Sequence, residues 1–194
     1  MLKILKVNVL FLFLKILKCF KLKIKKFFYY KTKKISILFN MKKNEILKII
    51  LIIVSVLLVT VLGSIFVNIG MEWFNNLQKP SQWIPNVLIP IVWTVIYITF
   101  ATILIVWSFK NDLPRNVIIL SIINGVLNVF WCLTFFALKL TLVGNIVIIL
   151  NLIFAFALIF EIKKHKPIYA LITSIYPIWI SIATTLNLAL WILN

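Results

Sequence analysis

The sequence predicts an all-α membrane protein, a bundle of five transmembrane helices, on three observations. Of the 194 residues 63% are hydrophobic and 13% charged, with a mean hydropathy of +1.13. A soluble domain is about half apolar and a quarter charged. From Glu45 onward, apolar runs long enough to cross a bilayer alternate with short polar breaks. Lipid does not hydrate an unpaired backbone, so each run must close its hydrogen bonds internally as a helix; the chain lacks the many alternating segments of a barrel.

The five spans fall near 46–67, 87–108, 117–138, 142–160 and 168–192 in one membrane domain, 41–194. Between the first two lies the one long break, Asn68–Asn86, with Trp73, Pro80, Trp83 and Pro85. Pro90 falls in the first turn of its helix, where a missing N–H costs nothing. Lys110–Asn116 contains Pro114, Lys139–Thr141 is barely a turn, and Glu161–Pro167 is a lysine cluster around His165. Pro177 lies inside the last span and predicts a kink there.

The charge is unevenly placed. The formal net charge is +17, from 21 Lys+Arg against 4 Asp+Glu, and residues 1–40 hold eleven of the lysines and no acid. A water-soluble nucleic-acid-binding domain does not carry this much apolar surface, so nucleic acid is excluded as a partner and membrane lipid is expected. The 1–40 leader reads as a basic interfacial segment, a targeting segment, or untranslated sequence ahead of a start at Met41. Its composition, almost all Lys, Leu, Ile, Phe, Tyr and Asn, favours a disordered leader or a mis-annotated start over a functional arm. With the N-terminus inside, Lys42, Lys43, Lys48, Lys110, Arg115, Lys163, Lys164 and Lys166 are inside, and Lys79 and Lys139 outside. Eight against two predicts N-in and C-out.

The chemistry available inside the spans is narrow. No Asp, Glu, Lys, Arg or His falls in the centre of a span, which argues against an ion-driven carrier. No nucleophile–base constellation, carboxylate pair or phosphate loop is present, so no catalytic residue is expected. Cys19 and Cys132 form no metal pattern, and the lone His165 reads as a solvated loop residue, so no metal is expected.

What the spans do hold is amides and aromatic rings. Asn124, Asn128, Trp131 and Phe135 share one helix face at i, i+4, i+7 and i+11. Trp93, Tyr97 and Phe100 make a stripe on the second span; Trp179, Ala183, Leu186 and Leu190 share a face of the last, with Asn187 beside it. Asn145 and Asn151 lie in the fourth. Spacing alone leaves two readings open: interhelical hydrogen-bond glue with an interfacial aromatic belt, to which Trp73, Trp107 and Trp191 fit well, or an apolar site with a few polar anchors.

Three stretches together resemble the TspO/MBR family, the tryptophan-rich sensory proteins related to the mitochondrial translocator protein or peripheral benzodiazepine receptor. Trp73-Phe74-Asn75-Asn76-Leu77-Gln78-Lys79-Pro80, followed by Pro85 and Trp93…Tyr97, is similar to the family's first loop and second-helix start. Leu127-Asn128…Trp131…Phe135-Phe136 resembles its third helix, and Tyr176…Trp179…Ala183…Leu186-Asn187…Trp191…Asn194 its ending. The resemblance implies a five-helix bundle, a homodimer, and an intrahelical pocket for porphyrin or other tetrapyrrole-like ligands, protoporphyrin IX or heme-related. No cofactor is required, and the role implied is that of sensor, regulator or carrier. By motif position the pocket residues are Trp93, Tyr97, Asn128, Trp131, Phe135, Trp179, Ala183 and Asn187, with Trp83 and Pro85 on a loop lid. Some bacterial members are described as promoting light-dependent porphyrin breakdown through pocket tryptophans, whose places Trp93 and Trp179 occupy. Departures include Ile84 for the first proline of a Pro-Pro pair, Ala101 for a glycine, and Leu188 for the tyrosine of a cholesterol motif that is thereby absent. The alternative from a different class is a transporter or efflux component for a small apolar molecule.

Overall fold

The first helix, α1 (Lys43–Asn75), outruns the expected span. A computed structural model describes residues 43–81, 84–109 and 112–194 of the chain; the 1–40 leader and Trp83 lie outside the described residues. The segment after Asn68 does not open the long loop that its polar residues predicted. No proline interrupts it before Pro80, and its inward face is apolar, so Phe74 buries to 7% exposure before the helix ends. A turn then closes it, with Asn76 N–H donating to Trp73 O (3.1 Å) and Leu77 N–H to Phe74 O (3.3 Å).

The remaining elements are α2 (Leu88–Ser108), α3 (Arg115–Cys132), a π-helical turn (Leu133–Ala137), α4 (Thr141–His165), α5 (Pro167–Thr173) and α6 (Ile175–Leu193). There is no strand among the described residues. The protein is an all-α, five-helix bundle, and α5 with α6 makes the fifth span. Five segments are long and apolar enough to cross a membrane: Glu45–Asn75, Leu88–Ser108, Arg115–Ala137, Thr141–His165 and Pro167–Leu193. The protein buries 39% of the fourth and fifth apolar windows but 6% of the first. α4 is therefore central, packed on α3, α5 and α6, and α1 is peripheral.

The breaks have local causes. Pro177 has no N–H to give the carbonyl of Thr173, and its ring crowds that carbonyl. The helix accordingly breaks at Ser174, between α5 and α6. The Ser174 hydroxyl instead donates to Leu171 O at 2.6 Å. At the other end of the bundle α3 widens into the π turn: Leu138 N–H reaches back five residues to Leu133 O (2.9 Å). Leu140 N–H then bonds Thr134 O (2.9 Å), and Lys139 takes a left-handed φ of 58° to reverse the chain into α4.

The π turn has a packing consequence. Neighbouring positions of a regular helix diverge by a fixed angle, and the wider turn changes that angle. Here Thr134, Phe135 and Phe136 all bury, at 2%, 0% and 8% exposure. Two glycines make room. A Cβ on Gly70 of α1 would stand 2.2 Å from the carbonyl oxygen of Phe136, and one on Gly144 of α4 would stand 2.9 Å from Phe135 Cβ. Both helices thus touch the π turn, backbone to backbone in the first case.

Gly70→Ala is expected to lower the thermal midpoint of the detergent-solubilised protein by several degrees, an overpacking cost of about 1–3 kcal/mol. Gly63→Ala is the control: its Cβ would meet Cys132 Sγ at an ordinary 3.5 Å and should leave the midpoint unchanged. Equal midpoints for the two variants would show that α1 is free to shift off the π turn.

Candidate functional site

Several of the residues singled out in sequence pack together. Trp131, Phe135 and Trp179 belong to a single buried cluster, and Trp93, Trp73 and Ala183 pack against it, half-buried. Trp93 and Tyr97, one turn apart on α2, stack with centroids 5.7 Å apart. Trp93 stacks in turn on Trp131 of α3 at 6.2 Å, and Trp131 on Phe135 at 6.2 Å. Trp73 of α1 closes the run edge-on to Phe135 at 5.8 Å. The rings form a continuous ladder, Tyr97–Trp93–Trp131–Phe135–Trp73, built from three spans. Offset stacked and edge-on pairs of this kind contribute about 0.5–1.5 kcal/mol each beyond area burial.

Two of the amides bond across helices. Asn187 of α6 donates from Nδ2 to Asn145 Oδ1 of α4 at 3.2 Å. Tyr176 donates from its hydroxyl to Asn151 Oδ1 at 3.0 Å, while its ring stands edge-on to Trp93 and Phe100. Asn128, 3% exposed, accepts a long contact from Cys132 Sγ at 3.9 Å. Interhelical bonds in lipid are worth about 0.6–2 kcal/mol. These two hold α4 and α6 in register.

An order of rings and amides along three helices, matched to three sequence stretches, decides the relationship. The model of the TspO/MBR family matches residues 50–192. The chain belongs to the TspO/MBR family. It is 31% identical over 157 residues to the tryptophan-rich protein TspO of Chlorobaculum tepidum, covering 78% of this chain and 98% of the relative. It is 31% identical over 154 residues to the tryptophan-rich protein TspO of Archaeoglobus fulgidus, covering 77% and 99%. Protein CrtK of Rhodobacter capsulatus is 28% identical over 125 residues, 63% of this chain and 78% of that one. With five membrane-crossing helices, this TspO/MBR member has the make-up of an integral multi-pass membrane protein.

Several of this member's residues stand where sequence reasoning did not put them. Trp107, assigned to the interfacial belt, is fully buried at 0% exposure in a second cluster with Val117, Leu158, Ile162 and Ala170. It faces Tyr169 edge-on at 5.5 Å. A tryptophan near a span end reads as belt by position alone; the ring it packs on, 62 residues away, is visible only in three dimensions. Trp73 also turns inward, onto Phe135. Tyr176 and Asn151 carry a buried hydrogen bond of the site yet were not among the predicted pocket residues. The signal was available, since Tyr176 sits three residues before Trp179 on the same helix face. Glu161–His165, expected as a break, is the last turn of α4. There Glu161 pairs with Lys164 at 2.8 Å and accepts from Asn116 at 3.4 Å.

The loop after α1 is tied to the end of α6. Gln78 N–H donates to Asn194 Oδ1 (2.9 Å), and Asn194 Nδ2 donates to Gln78 O (3.1 Å) and to Leu190 O (2.9 Å). Lys79 rests its ammonium 5.2 Å over the Phe74 ring. Asn194→Ala removes both bonds to Gln78, each worth about 1 kcal/mol net. Amide exchange at Gln78 is expected to speed about fivefold to tenfold per bond lost, with the α6 core unaffected. Unchanged exchange at Gln78 would show that the loop is held by other contacts.

Proposed function

We propose that this protein binds a porphyrin or similar tetrapyrrole-like hydrophobic ligand among its helices and acts as a sensor, regulator or carrier of it. The observation that carries this reading is the ring ladder from Tyr97 through Trp93 and Trp131 to Phe135. A porphyrin is a flat, mostly apolar plate, and stacked rings are the surface that suits one. The buried polar groups beside the ladder are neutral amides, hydroxyls and indoles, the sparse anchors of a small-molecule site. No charged side chain is buried among the described residues, which fits an apolar ligand better than an ion. Ala183 supports the reading as a small residue beside Trp179, where a larger one would fill the space next to the indole. The proposal includes a homodimer in lipid, with the exposed apolar face of α1 on the periphery.

Titration of residues 41–194 in detergent with protoporphyrin IX is expected to quench tryptophan fluorescence saturably in the micromolar range. Trp93→Ala/Trp179→Ala should abolish the quenching at unchanged helical content. Micromolar quenching that persists in the double variant would remove this cluster as the site, and no saturable quenching in the parent would remove the ligand class.

We further propose an N-in, C-out orientation, supported by the eight-to-two lysine and arginine bias. A reporter fused after Asn194 should be active only on the outer side. Activity on the cytoplasmic side would invert the topology and place the Gln78–Pro85 loop inside.

A further inference from the structure

Within the ring ladder Trp131 and Phe135 are buried, whereas Trp93 is half-buried. Packing alone therefore does not fix its ring. The stacked neighbours, Tyr97 and Trp131, set the separation and tilt of the planes but leave each ring free to slide within its own plane. The contact that opposes sliding is an edge-on ring, Tyr176, 6.5 Å from Trp93 at 64°.

Tyr176 is the second residue of α6, just past the break at Ser174. Its backbone stands where the helical ladder is interrupted, because Pro177 offers no N–H. The ring is held from its far end instead. Its hydroxyl donates to Asn151 Oδ1 of α4 at 3.0 Å, across 25 residues of sequence. A phenolic O–H lies in the plane of its ring by conjugation, and a hydrogen bond is directional. The bond thus sets the plane of the phenol as well as the place of its oxygen. Asn151 is 0% exposed, and its side chain makes no other hydrogen bond among the described residues. Burying an amide is costly unless it is bonded, so the bond to Tyr176 is what this position of the central helix supplies. Asn128 of α3 also lies beside the hydroxyl. The other bond between α4 and α6, Asn187 to Asn145, ends on an amide and not on a ring.

We infer that Asn151 is a positioning residue of the candidate site: through Tyr176 it holds the plane of Trp93, the half-buried ring on which a flat ligand stacks. The inference rests on the tetrapyrrole-type reading above and names what aims the first indole of its site. The family resemblance gives Asn151 no role.

The test uses the full chain in detergent. Two stacked indoles give an exciton couplet in the far-ultraviolet CD; it is the part of the parent spectrum that Trp93→Phe and Trp131→Phe both remove. Asn151→Leu keeps the volume and deletes the acceptor, and Tyr176→Phe keeps the ring and deletes the hydroxyl. Each is expected to weaken the couplet by the same fraction at unchanged helical content, and the double variant by no more than either. Asn145→Leu breaks the sister bond; it should lower the thermal midpoint as Asn151→Leu does while keeping the parent couplet. Protoporphyrin IX, followed by its Soret band, should bind Asn151→Leu and Tyr176→Phe about threefold to tenfold more weakly, the cost of ordering one ring on binding. Should Asn151→Leu fail to fold, Tyr176→Phe removes the same bond and decides the matter. A parent couplet in the variants that lack the bond overturns the inference. So does an equal loss in Asn145→Leu, which would make both bonds helix glue. A couplet lost in Asn128→Leu and kept in Asn151→Leu overturns it for Asn151. A weakened couplet with unchanged porphyrin affinity overturns the link to the ligand. If the parent binds no porphyrin saturably, the tetrapyrrole reading falls, and the couplet alone still decides whether Asn151 aims the ring.

Discussion

In a bilayer two helices gain nothing from hiding apolar side chains from each other, because the surrounding lipid is equally apolar. Close contact must come from shape. The approach of Gly70 to the carbonyl of Phe136 leaves no room for even a methyl group. It seats the end of α1 on the π turn, and from there Trp73 reaches Phe135 and Phe74 reaches Phe136 at 5.2 Å. Without it the ladder would lose its last rung. Gly144 does the same service from α4 for Phe135, so each of the two phenylalanines meets a helix that lacks a side chain at the point of contact.

The extra residue in the π turn changes what the third span presents. A helix with 3.6 residues per turn offers a stripe, whereas the widened turn offers three neighbours to one side. Trp131, Phe135 and Phe136 meet one another at 5.0–6.2 Å as a result. The cost is a ladder of backbone bonds that must be reset before α4 starts, which Lys139 manages by adopting the left-handed conformation. Local backbone irregularity in a membrane protein is tolerated where protein surrounds it, and here it is surrounded by aromatic side chains.

Much of this was legible in the residues. Hydropathy located five spans because a helix that must cross lipid has no other way to be written. The face shared by Asn124, Asn128, Trp131 and Phe135 is buried as its periodicity implied, with exposures between 0% and 7%. Pro177 announced a break in the last span and the structure has one, three residues ahead. What periodicity missed was whatever departs from 3.6 residues per turn or depends on a partner far along the chain. Phe136 fell off the wheel because the wheel changes at Leu133. Trp107 was misread because its partner Tyr169 lies in another span. The pairing of Asn145 with Asn187 and Asn151 with Tyr176 could not be chosen from among several amides without the helices in place. The extension of α1 to Asn75 was obscured because Asn68 and Glu72 look like loop residues, although they are simply the outward positions of a continuing helix.

The discontinuity at Ser174 divides the fifth span into two rods with separate allegiances. The short rod is seated with Trp107 through Ala170, and the long one carries Tyr176 and Trp179 into the aromatic assembly. Each half thus answers to its own set of neighbours. Because Pro177 cannot complete the backbone ladder across that joint, the two rods are not tied through one continuous helix, and a displacement of one need not be carried into the other.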